Sequence, residues 1–134
     1  MDPRRTEHLL AIDRYAQHLG IRLVEATGER VILEMTIAAQ HLNFLDVTHG
    51  GAVFSLADCA MSLASNSGEN RAVAIDAHLV ISGRSEVGDV LQAVAEPAIG
   101  GRTLGTHRIT VTRQDGRVVG MFTGTVLRTG PATG

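Results

Sequence analysis

The pattern of apolar and polar positions is densest between His49 and Asn66. On a helix turning about 100° per residue, Ala52, Val53, Phe54, Leu56, Ala57, Cys59, Ala60, Met61, Leu63 and Ala64 cover most of the cylinder. A helix this apolar has to be wrapped by other protein or by lipid. One stripe interrupts it. Gly51, Ser55, Asp58 and Ser62 recur at spacings of four, three and four, which places them on one face. Asp58 is the only full charge in the stretch, and a carboxylate is costly to bury without a purpose. The stripe therefore predicts a face that meets something small and polar. Thr48 or Asp46 can cap the start, and Asn66-Ser67-Gly68 reads as a stop with a glycine available for a left-handed residue. Gly50 and Gly51 cost helix propensity, roughly 1 kcal/mol each relative to alanine. In exchange they leave bare backbone N–H at the positive helix end, suited to an anion or a polarised carbonyl. The plainer alternative is a turn that passes close to a neighbouring strand.

Elsewhere the pattern changes period. Residues 4–19 place Leu9, Ile12, Ala16 and Leu19 at helical spacing, predicting a short amphipathic helix ended by Gly20. Ile21 to Ala26 and Arg30 to Ala38 are strand-like runs around the turn Thr27-Gly28-Glu29. In the second run Val31, Leu33, Met35 and Ile37 alternate with Ile32, Glu34 and Thr36. Four strands are expected after the long helix. Ala72 to Ile81 carries Val73, Ile75, Ala77, Leu79 and Ile81 on one face. Asp89 to Glu96 stops at Pro97, and Thr103 to Arg113 and Val118 to Arg128 flank the hairpin signal Gln114-Asp115-Gly116. In the last strand Val118, Gly120, Phe122, Gly124 and Val126 share a face, where glycine would let a helix come close. Thr129 to Gly134 reads as a frayed tail. Four consecutive strands imply an antiparallel sheet whose apolar face needs a partner, and only the helix 51–65 is long and apolar enough. The expected fold class is α+β, a sheet rolled around one central helix.

Composition narrows the function classes. At 134 residues, 44% hydrophobic, the chain suits one domain with a real core. Twelve basic and fourteen acidic residues give a net charge of −2, which suggests neither nucleic-acid nor membrane-surface binding. No apolar run reaches transmembrane length, and the polar start is no signal peptide. A single cysteine, Cys59, rules out an internal disulfide and fits a reducing compartment, so a cytoplasmic location is expected. Cys59 reads as core, not as a thiolate nucleophile. The six histidines are scattered without metal-ligand spacing, and no cofactor is implied.

The helix and its wrapping sheet resemble the hotdog fold. The residues Asn43-Phe-Leu-Asp-Val-Thr-His-Gly-Gly-Ala-Val-Phe-Ser-Leu-Ala-Asp58 are similar to the signature of acyl-CoA thioesterases of the phenylacetic-acid-degradation type. The later segments Gly88 to Ala95, Gly101-Arg-Thr103 and Val111 to Val119 look like the same family, over roughly residues 20–128. The resemblance implies hydrolysis of aryl or short-to-medium acyl-CoA thioesters. Asp58 matches the catalytic carboxylate, as nucleophile or as general base for water. Gly50 matches the residue whose N–H polarises the thioester oxygen. Asn43 matches the loop amide that positions the attacking group, and His49 lies beside the thioester. It also implies homodimers joined edge to edge, often paired into homotetramers, with active sites between subunits. The chemistry is consistent: a carboxylate two helical turns beyond the helix start can meet the other side of a carbonyl whose oxygen is held by backbone donors. One departure is that Ala72 to Ile81 offers no Ser or Thr, whereas some relatives supply a hydroxyl there. Arg84, Arg102 and Arg128 are candidates to meet coenzyme A phosphates. The alternative function is a non-catalytic acyl-CoA-binding hotdog protein.

Overall fold

The computed structural model describes residues 2–28 and 30–132. Helices α1 (Pro3–Ile12) and α2 (Arg14–Leu19) precede strands β1 (Arg22–Thr27) and β2 (Arg30–Thr36). A 3-10 turn at Ala39–His41 leads to helix α3 (Gly50–Asn66). Strands β3 (Asn70–Ile81), β4 (Val90–Gly100), β5 (Leu104–Arg113) and β6 (Val118–Pro131) complete the chain. All six strands form one antiparallel sheet in the order β1-β2-β4-β5-β6-β3. The sheet wraps α3, giving the α+β arrangement that the pattern predicts and the hotdog fold that the resemblance implies.

Along β2 and the residue after it, Val31, Leu33, Met35 and Ile37 are buried with Leu56, Ala60 and Met61 in one core, while Ile32, expected on the other face, is buried as well. The glycines of β6 do what their face suggested. A Cβ on Gly124 would overlap the Met61 thioether, and one on Gly120 would come within 3.1 Å of Leu79 and 3.4 Å of Val53. Glycine therefore lets α3 lie directly on the strand, where Phe54 meets Phe122 edge-on at 5.3 Å.

Several expectations are corrected. The N-terminal segment is two helices, because Asp13 takes an extended conformation and its carboxylate caps α2 through Ala16 N–H at 3.0 Å. Helix α3 is capped by His49 and not by Thr48 or Asp46. It ends at Ser67 in a right-handed conformation, without a left-handed glycine. Strand β4 runs through Pro97 to Gly100. Its pairing with β2 ends at Ala95, so beyond that point a missing N–H faces no ladder. Strand β6 continues to Pro131 because Gly130 and Pro131 pair with Arg71 and Asn70 of β3, so the tail is ordered at least that far. Thr133 and Gly134, like Glu29 of the first hairpin turn, lie outside the described residues.

Strand β3 departs most. Only Ala72 is buried there. Val73, Ile75 and Ile81, expected on the core face, are exposed along with Val80. A bulge at Ile75 shifts the register, and β3 is an edge strand with no neighbour on its outer side.

Candidate active site

The start of α3 is built to leave one backbone donor free. His49 Nδ1 accepts Gly51 N–H at 2.8 Å, and its carbonyl accepts Ala52 N–H at 3.0 Å. Among the described residues no acceptor meets Gly50 N–H. Because Nδ1 accepts, the His49 ring carries its hydrogen on Nε2. The two glycines differ sterically: a Cβ on Gly51 would lie 2.9 Å from His49 Nδ1, whereas one on Gly50 would meet only the flexible tip of Ile81, Cδ1, at 2.9 Å. His49 thus holds the helix start in shape and keeps the neighbouring Gly50 N–H available at the positive end of the dipole.

The loop before the helix is pinned on both sides. Asn43 Oδ1 accepts Leu45 N–H at 2.8 Å and Val47 N–H at 3.4 Å, so its carbonyl oxygen caps the loop. Its NH2 group takes no acceptor among the described residues and remains open to a reacting group. His41, 2% exposed, donates from Nε2 to Leu19 carbonyl at 2.8 Å and accepts Ala38 N–H on Nδ1 at 2.9 Å. Its own carbonyl accepts His49 N–H at 2.7 Å, so the end of α2 is tied through His41 to the start of α3. On the other side Thr48 Oγ1 donates to the carbonyl of Ser85 at 2.9 Å.

Asp58 sits apart from this cluster. With Asp13, Tyr15, Ile21, Phe54 and Cys59 it lines a cavity of about 150 Å³ beneath the N-terminal helices. Burial, and after it the carboxylate of Asp13, hold the Asp58 carboxyl above its ordinary ionisation range. The same surroundings push the Cys59 thiol up to about 12, with burial again the larger cause, so it stays protonated and inert as the sequence suggested. Gly50 lines a different cavity, with Arg84, Ser85 and Ile81. The structure therefore brings Asn43, His49 and Gly50 to one end of α3 but does not bring Asp58 to the same carbonyl within one chain. Eight residues separate Gly50 from Asp58, a rise of about 12 Å.

Asp13 and Tyr15 carry no motif and do not stand out in the sequence; only the folding back of α1 and α2 onto α3 places them here. Among the described residues no helix is long and apolar enough to cross a membrane. No three His, Cys, Asp or Glu side chains among them converge as a metal site.

Comparison with known proteins adds the family context. Residues 45–120 match the model of the thioesterase superfamily. A Deinococcus radiodurans protein is 39% identical over 127 residues, covering 94% of this chain and 86% of its own length. The acyl-coenzyme A thioesterase PaaI of Escherichia coli K12 is 34% identical over 118 residues, 88% of this chain and 84% of that protein. The structure of E. coli PaaI, from the phenylacetic acid degradation operon, superposes with a TM-score of 0.92, covering 97% of this chain and 95% of that one. A Streptococcus pneumoniae hypothetical thioesterase solved with coenzyme A is 25% identical. It superposes with a TM-score of 0.81 over 84% of this chain and 88% of that one.

Proposed function

The chain belongs to the thioesterase superfamily and is a hotdog acyl-coenzyme A thioesterase, and we propose that its reaction centre is a composite in which Gly50 of one subunit faces Asp58 of another. The supporting observation is the geometry of α3. Its one free N–H at Gly50 and its carboxylate at Asp58 line separate cavities about 12 Å apart along the axis. A thioester C=O is only about 1.2 Å long, so a single helix cannot grip it from both sides.

In this reading Gly50 N–H donates to the thioester oxygen, where negative charge gathers as the carbonyl is attacked. One such preorganised donor is worth about 3–4 kcal/mol. Asp58 acts on the carbonyl carbon directly, or takes the proton of an attacking water. Either way the C–S bond breaks, and coenzyme A leaves as a thiolate that then takes up a proton. The free NH2 of Asn43 orients the attacking group, and His49 acts through the helix start without touching the carbonyl. Arg84 lines the Gly50 cavity, which supports its meeting a coenzyme A phosphate in this reading. The acyl groups are aryl or short-to-medium chains, and the whole chain works as one hotdog unit.

The assembly is a homodimer or homotetramer. Support comes from the unpaired edge of β3 with its exposed Val73, Ile75, Val80 and Ile81, and from the loop tip, where Phe44 is 93% and Leu45 67% exposed. The lone buried cysteine supports a reducing, cytoplasmic location.

The test is release of coenzyme A thiol from a panel of aryl and short-to-medium acyl-CoA esters. Asp58→Asn keeps the side chain's size and removes its charge, and turnover should fall on the order of 10²–10⁴-fold. Binding of a non-hydrolysable acyl-CoA should survive. Equal hydrolysis by both forms would remove Asp58 from the mechanism. Tight binding without hydrolysis by the wild type would identify a non-catalytic acyl-CoA-binding protein instead.

A further inference from the structure

With Asp58 placed against the thioester, the cavity beside it becomes the space for the acyl group, an assignment that rests on the thioesterase reading. Its floor is apolar and buried: Ala16 is 2%, Ile21 4% and Cys59 8% exposed. Its rim carries Phe54 and Tyr15, which are 36% and 61% exposed. The Tyr15 ring is nonetheless not loose. Its hydroxyl shares a 3.3 Å hydrogen bond with Ser55, on the same stripe of α3 as Asp58. Ser55 is itself held by donation to Gly51 carbonyl at 2.7 Å. An aromatic ring has few torsions to restrain, so one bond at its tip biases it toward the cavity it lines.

The backbone behind the ring is equally well anchored. Asp13 caps α2, His41 ties the end of α2 to the start of α3, and Thr6 Oγ1 donates to Ser67 Oγ at 2.8 Å to seat α1 on the far end of α3. Tyr15 also lies outside residues 45–120, the part that matches the superfamily model. The chemistry thus sits on α3, while the boundary of the space beside it comes from the N-terminal helices.

We propose that Tyr15 is a specificity-determining residue: tied to Ser55, it bounds the acyl pocket and limits the enzyme to acyl groups that fit between Ile21 and the tyrosine ring. The cavity's volume of about 150 Å³ is on the order of one that holds a single benzene ring. An acyl group one or two methylenes too long has to push the ring off Ser55 or withdraw its carbonyl from Asp58.

The experiment measures kcat/KM by coenzyme A thiol release over straight-chain acyl-CoA esters of increasing length and a phenyl-bearing ester. It compares the wild type with Tyr15→Ala and Tyr15→Leu. The wild type should fall off steeply beyond a given length. Tyr15→Ala should move that cut-off to longer chains, raising the long-to-short ratio by about tenfold or more, the scale on which single methylenes are discriminated. Tyr15→Leu should move it part of the way. Because the ring is largely exposed, both variants should melt like the wild type. A wild-type length profile in both variants would overturn this inference and leave the thioesterase reading intact. A wild type that hydrolyses no member of the series would sink that reading, and this inference with it.

Discussion

Asp58 shares its cavity with a second carboxylate, which adds to the effect of burial on its ionisation. Burial raises it first and the charge on Asp13 raises it further. A carboxylate that must be ionised to attack or to act as a base loses activity as the pH falls through its raised value. Asp13→Asn removes one of the two raising causes and keeps the α2 cap, because asparagine caps as well as aspartate. Asp58 then ionises at lower pH, so the acid limb of kcat/KM should move to lower pH while the fold is retained. Burial still acts, so the limb stays above the ordinary carboxylate range. A pH profile with an unmoved acid limb would show that Asp13 does not reach Asp58. At this scale the sequence is informative about residues whose neighbours are close in the chain. Gly51 and Asp58 stand out because the spacing within one helix defines their face. Asp13 and Tyr15 do not, because their partners lie some forty residues away on another helix.

Helix α3 and strand β6 fit together through a missing side chain. A Cβ at Gly124 would overlap Met61, so Gly124→Ala has to displace a flexible thioether or lift the helix. Overpacking of this kind costs about 1–3 kcal/mol, and the adaptability of methionine favours the lower end. Urea denaturation should show a lower midpoint at unchanged slope. An unchanged midpoint would mean that Met61 has free space to enter. This contact is legible in the sequence because two regularities coincide: the apolar cylinder of residues 51–65 and the alternating glycines of β6. Where the sequence misleads, a local signal meets a non-local one. Asp13 breaks a pattern whose apolar positions continue smoothly through it. Pro97 would end a central strand, but β4 has lost its β2 neighbour by then. The tail joins β6 only because β3, far away in sequence, extends to meet it. The apolar alternation in β3 does mark residues that need cover, but the cover is not within the chain.

That missing cover sets the problem for the whole molecule. Strand β3 offers twelve residues of unpaired edge, long and apolar, which is the arrangement soluble proteins avoid unless something pairs with it. The free Gly50 N–H and the Asp58 carboxylate are likewise incomplete when taken in one chain. The proposed second copy would resolve both, and the proposed composite site has a consequence that no single-chain site shares. Gly50→Pro removes the proposed oxyanion donor, and its Cβ asks only that the exposed, flexible tip of Ile81 move aside. Proline is well suited to the first position of a helix, and His49 already has the extended backbone (φ −63°, ψ 135°) that a residue before proline requires. Each of Gly50→Pro and Asp58→Asn should by itself lower turnover by about a hundredfold or more. When the two variants are unfolded together and refolded as mixed dimers, one site combines the intact Gly50 of the Asp58→Asn chain with the intact Asp58 of the Gly50→Pro chain. The other site receives both defects. Random pairing makes about half of the dimers mixed, each with one working site in two, so activity should return to roughly a quarter of wild type. If Gly50 and Asp58 act on the same thioester from one chain, every site in the mixture carries a defect and no activity returns. Thiol release before and after mixing therefore decides between the two arrangements, with tagged chains confirming that mixed dimers have formed.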